Sequence, residues 1–270
     1  MSTSFLREVV GEIRAALADG RYAEGVPTTR RRPPASLRAA IERDRDAGAL
    51  LVEYKRASPG ASAPLPIPRS VTEFLRLTGE SGIAGYSCLA TTYGFDGAPA
   101  RVAELASSTS VPVLFKEFVV ASAQLEVAAR TGAAAVLLIA RLEDDGLLEE
   151  PLADLAREAH RLGLEVLLEL HAPAELSRLG GVEADVFGVN TRDLATLRFD
   201  RPTAYGTLEQ ARRRGLRPLL GLSGVEGPDG AAEFWRRGCD GLLVGSAVAR
   251  SPDPAALLAA LRRAPPGGAS

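Results

Sequence analysis

The chain is poor in the residues that usually announce chemistry. Its 270 residues include two cysteines, two histidines, one tryptophan and one methionine. Cys88 and Cys239 fall in or beside apolar runs that read as buried strands. That excludes a disulfide framework and predicts reduced thiols in a cytoplasmic protein. No motif places a histidine near either, which argues against a catalytic thiol. His160 and His171 make no ligand spacing of the His-Glu-x-x-His kind, so no metal site is expected. Trp235 sits beside Phe234 on a helix face and reads as packing. A formal net charge of −2 makes no electrostatic case for nucleic acid. The Arg30–Arg32 run, in a Pro-rich loop, reads as solvated. No apolar stretch approaches the roughly 20 residues that span a bilayer. The N-terminus mixes charge into its apolar positions and does not make a signal peptide. Nothing calls for an obligate protein partner. The class that survives these absences is a protein that handles small molecules.

What is present is a rhythm. Eight short apolar runs recur: Leu50–Tyr54, Ile83–Leu89, Val111–Phe115, Ala134–Ile139, Glu165–Leu170, Val186–Asn190, Pro218–Ser223 and Gly241–Gly245. Each is about five to seven residues, bounded by Gly, Pro or charge, as strands covered on both faces are. Their starts lie roughly 20 to 34 residues apart, the length of one strand-helix-strand unit. Helical patterns lie between or after them at Ala121–Arg130, Leu148–Leu162, Pro173–Leu179, Pro202–Arg214, Pro228–Arg237 and Pro254–Arg263. Several open with Pro and end at Gly, the usual asymmetry of helix termini. This pattern predicts an α/β fold, a closed (β/α)8 barrel of the TIM type. An open doubly wound sheet is weakened because no Gly-x-Gly-x-x-Gly turn follows a strand. The length suits one domain over residues 1–263 that buries about three quarters of its unfolded surface. Residues 1–48 read as an N-terminal helical extension that caps the barrel bottom, with helices at 4–18 and Pro34–Arg45. Residues 264–270 read as a disordered tail.

The first run ends abruptly in charge. Strand side chains alternate, so Glu53 and Lys55 share one side at its mouth. A carboxylate and an ammonium there are costly unless they meet each other or a ligand. Taken alone, the segment would pass for a strand surfacing into a charged loop. The pattern recurs, however. In a barrel of this kind the strand C-termini form the site. The third run ends in Lys116-Glu117-Phe118, the fifth in Glu169-Leu-His171 and the sixth in Asn190-Thr-Arg192-Asp193. Ser223-Gly224 and Gly245-Ser246 end the seventh and eighth, where such barrels bind phosphate through backbone N–H groups. An inert rim of salt bridges would not explain why charge gathers at strand ends while strand interiors stay apolar.

These residues carry a resemblance. The ordered set Glu53-x-Lys55-Arg56-Ala57-Ser58-Pro59, Pro112-Val-Leu-x-Lys116-x-Phe118, Leu168-Glu169-x-His171, Gly188-Val-Asn190-x-Arg192-Asp193-Leu194, Ser223-Gly224 and Val244-Gly245-Ser246 resembles the indole-3-glycerol phosphate synthase family. The resemblance runs from the N-terminal helices to the last strand. It implies closure of the pyrrole ring of 1-(2-carboxyphenylamino)-1-deoxyribulose 5-phosphate with loss of CO2 and water, without a cofactor. It also implies Lys116 as the general acid, and Lys55, Glu53 and Glu169 as the second acid and the base. Asn190 would hydrogen-bond the reacting oxygen. Arg192 would orient the acidic side chains or the substrate carboxylate, and Phe118 would pack on the aromatic ring. Ser58, Ser223, Gly224, Gly245 and Ser246 would hold the phosphate.

Departures from the family pattern mark a divergent member. The usual Ser-Glu-Ser-Gly of the seventh strand is Gly221-Leu222-Ser223-Gly224, so an apolar side chain replaces a carboxylate. The usual Ser-Lys-Gly after the first Ser-Pro is Gly60-Ala61-Ser62, the Arg before the third-strand lysine is Phe115, and the second strand ends Leu89-Ala-Thr-Thr92. Three further readings follow: a paralogue for a modified anthranilate or another arylamino sugar phosphate, a phosphosugar isomerase or aldol-cleaving barrel, and a non-catalytic barrel that binds phosphorylated metabolites.

Overall fold

A computed structural model describes residues 5–30, 35–59 and 70–262 of the chain. Eight parallel strands close on themselves in chain order. They are β1 (Ala49–Tyr54), β2 (Gly85–Leu89), β3 (Val113–Lys116), β4 (Ala135–Ile139), β5 (Glu165–Leu170), β6 (Val186–Asn190), β7 (Leu219–Leu222) and β8 (Gly241–Val244). Closure is sealed by β1 against β8, with Leu51 opposite Leu243. The helices are α1 (Phe5–Ala18), α2 (Leu37–Asp44), α3 (Val71–Thr78), α4 (Pro99–Ser108), α5 (Ser122–Thr131) and α6 (Ala140–Asp144). They continue with α7 (Leu152–Arg161), α8 (Arg201–Arg213), α9 (Pro228–Arg236), α10 (Ser246–Arg250) and α11 (Pro254–Leu261). The expected (β/α)8 barrel is the observed fold.

The strand interiors explain why the barrel forms. Leu50, Leu51, Val52, Leu114, Leu138, Leu168 and Leu220 are wholly buried. Each such side chain contributes about 1.5–3 kcal/mol on leaving water. With helices on the outside and packed side chains on the inside, both faces of every strand are apolar, and the charged residues are left for the ends.

The two N-terminal helices pack at opposite ends of the barrel. Leu6, Val9, Val10 and Ile13 form the buried stripe of α1. That helix lies along the segments that follow β2, β3 and β4. Phe5 meets Tyr93, Phe95 and Phe118, and Tyr93 donates to Glu8 at 2.8 Å. Arg14 donates to the Leu147 carbonyl at 2.8 Å. By contrast, α2 is anchored where β5 begins: Ser36 caps it through the Ala39 amide, and Arg38 donates its amide to Glu165 at 2.9 Å. Both helices had been expected beneath the barrel. Only α2 lies there; α1 is held at the mouth by the contacts of Phe5, Glu8 and Arg14.

Local differences have local causes. The helix expected at Leu148–Leu162 begins at Leu152, since Pro151 is its N-cap. The Pro173–Leu179 helix is a 3-10 helix over Pro173–Arg178. Periodicity missed α3, α4, α6 and α10, of which α6 and α10 are only five residues long. The third strand starts later, at Val113, and so includes Lys116. Arg30 is not merely solvated, for it donates to the carbonyls of Leu162 and Gly163 just past α7. Arg31, Arg32, the segment 60–69 and the expected tail 264–270 lie outside the described residues.

One glycine tests how tightly the outer layer is packed. A Cβ on Gly221 in β7 would sit 2.3 Å from Cδ1 of Phe234 on α9. Gly221→Ala should therefore destabilise the fold by about 1–3 kcal/mol through overpacking. Urea unfolding measures it, and an unchanged midpoint would show that Phe234 has room to move.

Candidate active site

The C-terminal ends of the strands surround a cavity of about 300 Å³. Every site residue expected from the sequence lines it: Glu53, Lys55, Ser58, Lys116, Phe118, Glu169, Asn190, Arg192, Ser223, Gly224, Gly245 and Ser246. Strand alternation delivers the charged ones, since Glu53 follows Leu51 by two, Lys116 follows Leu114 and Glu169 follows Leu167.

Glu53 stands at the electrostatic centre. Its Oε1 accepts from Lys55 Nζ at 2.9 Å and its Oε2 from Lys116 Nζ at 2.7 Å. The carboxylate is 2% exposed, the two ammoniums 11% and 18%. Burial alone would raise the Glu53 pKa, but the two ammoniums outweigh it and hold the group at about 2. The lysines respond in opposite directions. Burial lowers Lys55, which faces one carboxylate and is also pushed down by Lys116 and Arg192. Burial also opposes charge on Lys116, yet Glu53 and Glu169 together raise it. Both directions follow from the count of neighbours: Lys116 has two carboxylates, Lys55 only one.

Space for this cage comes from β8. A Cβ on Gly245 would lie 2.7 Å from Glu53 Oε1. Any larger residue there would displace the carboxylate.

A second pair completes the floor. Asn190 Nδ2 donates to Glu169 Oε1 at 2.9 Å, while its Oδ1 accepts the Arg192 amide at 2.9 Å. Glu169 is pushed up by burial, opposed by Lys116 and Asn190. His171, also read as a strand end, turns instead to structure. Its Nδ1 lies 2.7 Å from the Asn190 carbonyl, which can only accept, so that nitrogen carries the proton. Arg192 donates to the Leu197 carbonyl at 2.8 Å and lies 4.4 Å over the Phe199 ring. Burial lowers its pKa.

The end of the cavity where the sequence leads us to expect phosphate is formed by Ser223, held at φ 63° in the left-handed region, then Gly224 and the start of α10. Such a conformation in a non-glycine residue costs on the order of 1 kcal/mol and is typical of binding sites. Leu222, the apolar replacement, faces inward in register with Asn190 but is buried against Gly188 and does not line the cavity. Sequence reasoning did not find Phe95, Ile139, Phe199 or Arg250 in the lining. Arg250 was findable, as it follows Ser246 by about one helical turn. The aromatic and aliphatic members lie in loops and strands without any motif.

Residues 7–261 match the family model described as indole-3-glycerol phosphate synthase. Proteins of that name are similar along most of the chain. One from Nocardioides sp. is 35% identical over 265 residues, covering 93% of this chain and 95% of its own. One from Kineococcus radiotolerans is 36% identical over 207 residues, covering 76% and 72%. One from Aeropyrum pernix is 36% identical over 211 residues, covering 76% of each. Among solved structures, 3-hexulose-6-phosphate synthase from Salmonella typhimurium superposes with a TM-score of 0.58 at 13% identity, over 79% of this chain and 96% of its own. At that identity the likeness shows the barrel alone.

The cage has a thermodynamic signature. Glu53 titrates at about 2 in the fold against an ordinary 4.5. Its stabilisation is therefore fully present above about pH 4.5 and lost as pH falls through about 2. The size is on the order of 3 kcal/mol. Stability measured from pH 6 to 2 should fall less steeply in Glu53→Gln than in the wild type. Parallel curves would mean that the ammoniums do not hold the carboxylate.

Proposed function

The chain belongs to the indole-3-glycerol phosphate synthase family, and we propose that its cavity performs that family's ring closure in tryptophan biosynthesis. The substrate, 1-(2-carboxyphenylamino)-1-deoxyribulose 5-phosphate, is a small phosphorylated molecule. Its aromatic carbon attacks the ribulose carbonyl, the ring carboxylate leaves as CO2, and a hydroxyl then leaves as water. The observation that carries this reading is Glu53 held between the ammoniums of Lys55 and Lys116 at 2.9 and 2.7 Å, inside the cavity.

The carbonyl oxygen gains negative charge as the new carbon–carbon bond forms, so a donor must reach it in a partly dry site. Lys116 fits, because its neighbouring carboxylates keep it an ammonium. Dehydration needs a second donor and a base. Lys55, with its proton loosened by burial, supplies the donor. Glu53 is a poor base, since two ammoniums occupy its oxygens and hold it deprotonated down to about pH 2. Glu169 is the better one: burial raises its proton affinity and Asn190 holds one oxygen in place. Asn190, poised beside Glu169, also reaches toward the reacting oxygen.

Binding follows the cavity's two ends. Phe118 packs on the aromatic ring, with Phe95 next to it. Ser58, Ser223, Gly224, Gly245 and Ser246 hold the phosphate, Arg192 orients the acidic side chains or the substrate carboxylate, and Arg250 adds a further guanidinium to the lining. The reaction itself needs no cofactor. Cys88 and Cys239 are buried and not joined in a disulfide. They support a cytoplasmic setting.

Incubating the purified protein with the arylamino deoxyribulose phosphate and following indole fluorescence tests the reading. Turnover supports it. Binding without turnover favours a non-catalytic barrel, and neither favours an isomerase or aldolase.

Two substitutions separate chemistry from binding. Lys116→Ala should lower kcat by about 10²–10⁴ with the fold intact; retention of more than about a tenth of kcat would remove it from the general-acid role. Ser246→Ala should mainly raise KM, because phosphate contacts are shared by ground and transition states. A fall in kcat alone would contradict that assignment.

A further inference from the structure

Next to Lys116 lies a buried polar cluster that the reaction scheme leaves unused. Glu117 is 2% exposed. Its carboxylate accepts from the Thr91 hydroxyl just past β2, from the Phe118 amide at 2.8 Å and from the Tyr22 hydroxyl at 3.3 Å. Gln124, wholly buried in α5, closes the circuit. Its Nε2 donates to the Tyr22 oxygen at 3.3 Å and to the Phe118 carbonyl at 3.1 Å. Its Oε1 accepts the amides of Val120 and Ala121 at 2.8 and 3.2 Å.

Both backbone polar atoms of Phe118 are thus held by side chains, and those two side chains meet at Tyr22. Tyr22 comes from the 3-10 turn Arg21–Ala23, in the segment between α1 and α2. Glu117 and Tyr22 also face a second cavity of about 380 Å³, lined in addition by Glu12, Arg21, Tyr93 and Pro99. The loop that carries Phe118 therefore has open space on two sides. The Phe118 ring packs against Phe5 and Phe95, while its backbone, between the two cavities, is held by these hydrogen bonds. Buried polar circuits of this kind hold one geometry because leaving any member unpaired is costly.

We propose that Tyr22, Glu117 and Gln124 are positioning residues that set Phe118, and through it decide which substituents the aromatic end of the site accepts. The proposal rests on the synthase reading for its substrate. The cluster acts on the ring through Phe118 and touches no reacting atom. A group displaced by about 1 Å at the aromatic end would misalign the attacking carbon and loosen the fit around the ring.

The test compares wild type, Tyr22→Phe, Glu117→Ala and Glu117→Gln on two substrates, one unsubstituted and one methylated on the aromatic ring. A methyl group is typically discriminated by about 10–200-fold in a tight pocket. Tyr22→Phe and Glu117→Ala should cut the ratio of kcat/KM values between the two substrates by about tenfold. Glu117→Gln keeps an acceptor for the Phe118 amide and should restore most of that ratio. A purely structural cluster would lower the melting temperature and leave the ratio untouched, and that result overturns the proposal. Amide hydrogen exchange at Phe118 is read in the same proteins without substrate. It should quicken by about tenfold or more in Tyr22→Phe. Unchanged exchange overturns the proposal. Absence of turnover in the wild type would count against the synthase reading alone, and exchange would then decide the positioning.

Discussion

The site depends on one carboxylate that two ammoniums share. Glu53 is buried at the top of a barrel whose interior is mostly apolar. An isolated charge in that place would neutralise itself; a paired one survives only with good geometry on both oxygens. Lys55 and Lys116 supply that geometry from β1's end and from β3. Glu169 forms a hydrogen-bonded pair of its own with Asn190, and feels the cage through the charge of Lys116. Acid and base are thus kept in different hydrogen-bonded units within one cavity. Their proton affinities are set apart by how many opposite charges each one faces.

Much of this was legible in the sequence because strand ends in a parallel barrel obey a simple rule. The apolar runs, such as Ala135–Ile139, fill the barrel, and their composition says so. A charged residue that interrupts the same alternation, as Glu53, Lys116 and Glu169 do, has no other place to go than the mouth. The proposed phosphate end was readable from Gly245-Ser246 only through its position after β8. What was not readable depends on contacts between segments far apart in the chain. The α1 stripe looked like any amphipathic helix, and nothing local to it says that Phe5 meets Phe118, more than a hundred residues on. Short helices such as α10 are too brief for periodicity to speak. Glu117 was visible as a residue beside Lys116, yet its links to Tyr22 and Gln124 needed three dimensions.

Leu222 shows the limit of reading a site by motif. It occupies the place of a family carboxylate, on the inner face and in register with Asn190, but it folds away against Gly188. The side chain that fills the space is apolar and buried, so the change reads as repacking beneath the cavity rather than as a gap in it. The two lysines keep their carboxylates without it. The divergence of this chain therefore falls on the support under the reacting groups, while the groups themselves stay in place.

Gly245 has a consequence for how such a site drifts over generations. The space a Cβ would need there is already taken by Glu53 Oε1, 2.7 Å away. The two positions, one on the first strand and one at the end of the last, belong to a single mutational unit. A lineage that enlarges residue 245 while the carboxylate stands must displace it, and one that has lost the carboxylate has lost the tightest constraint on residue 245. The order of changes then matters: a bulky 245 that arrives second closes the way back to the ancestral pair.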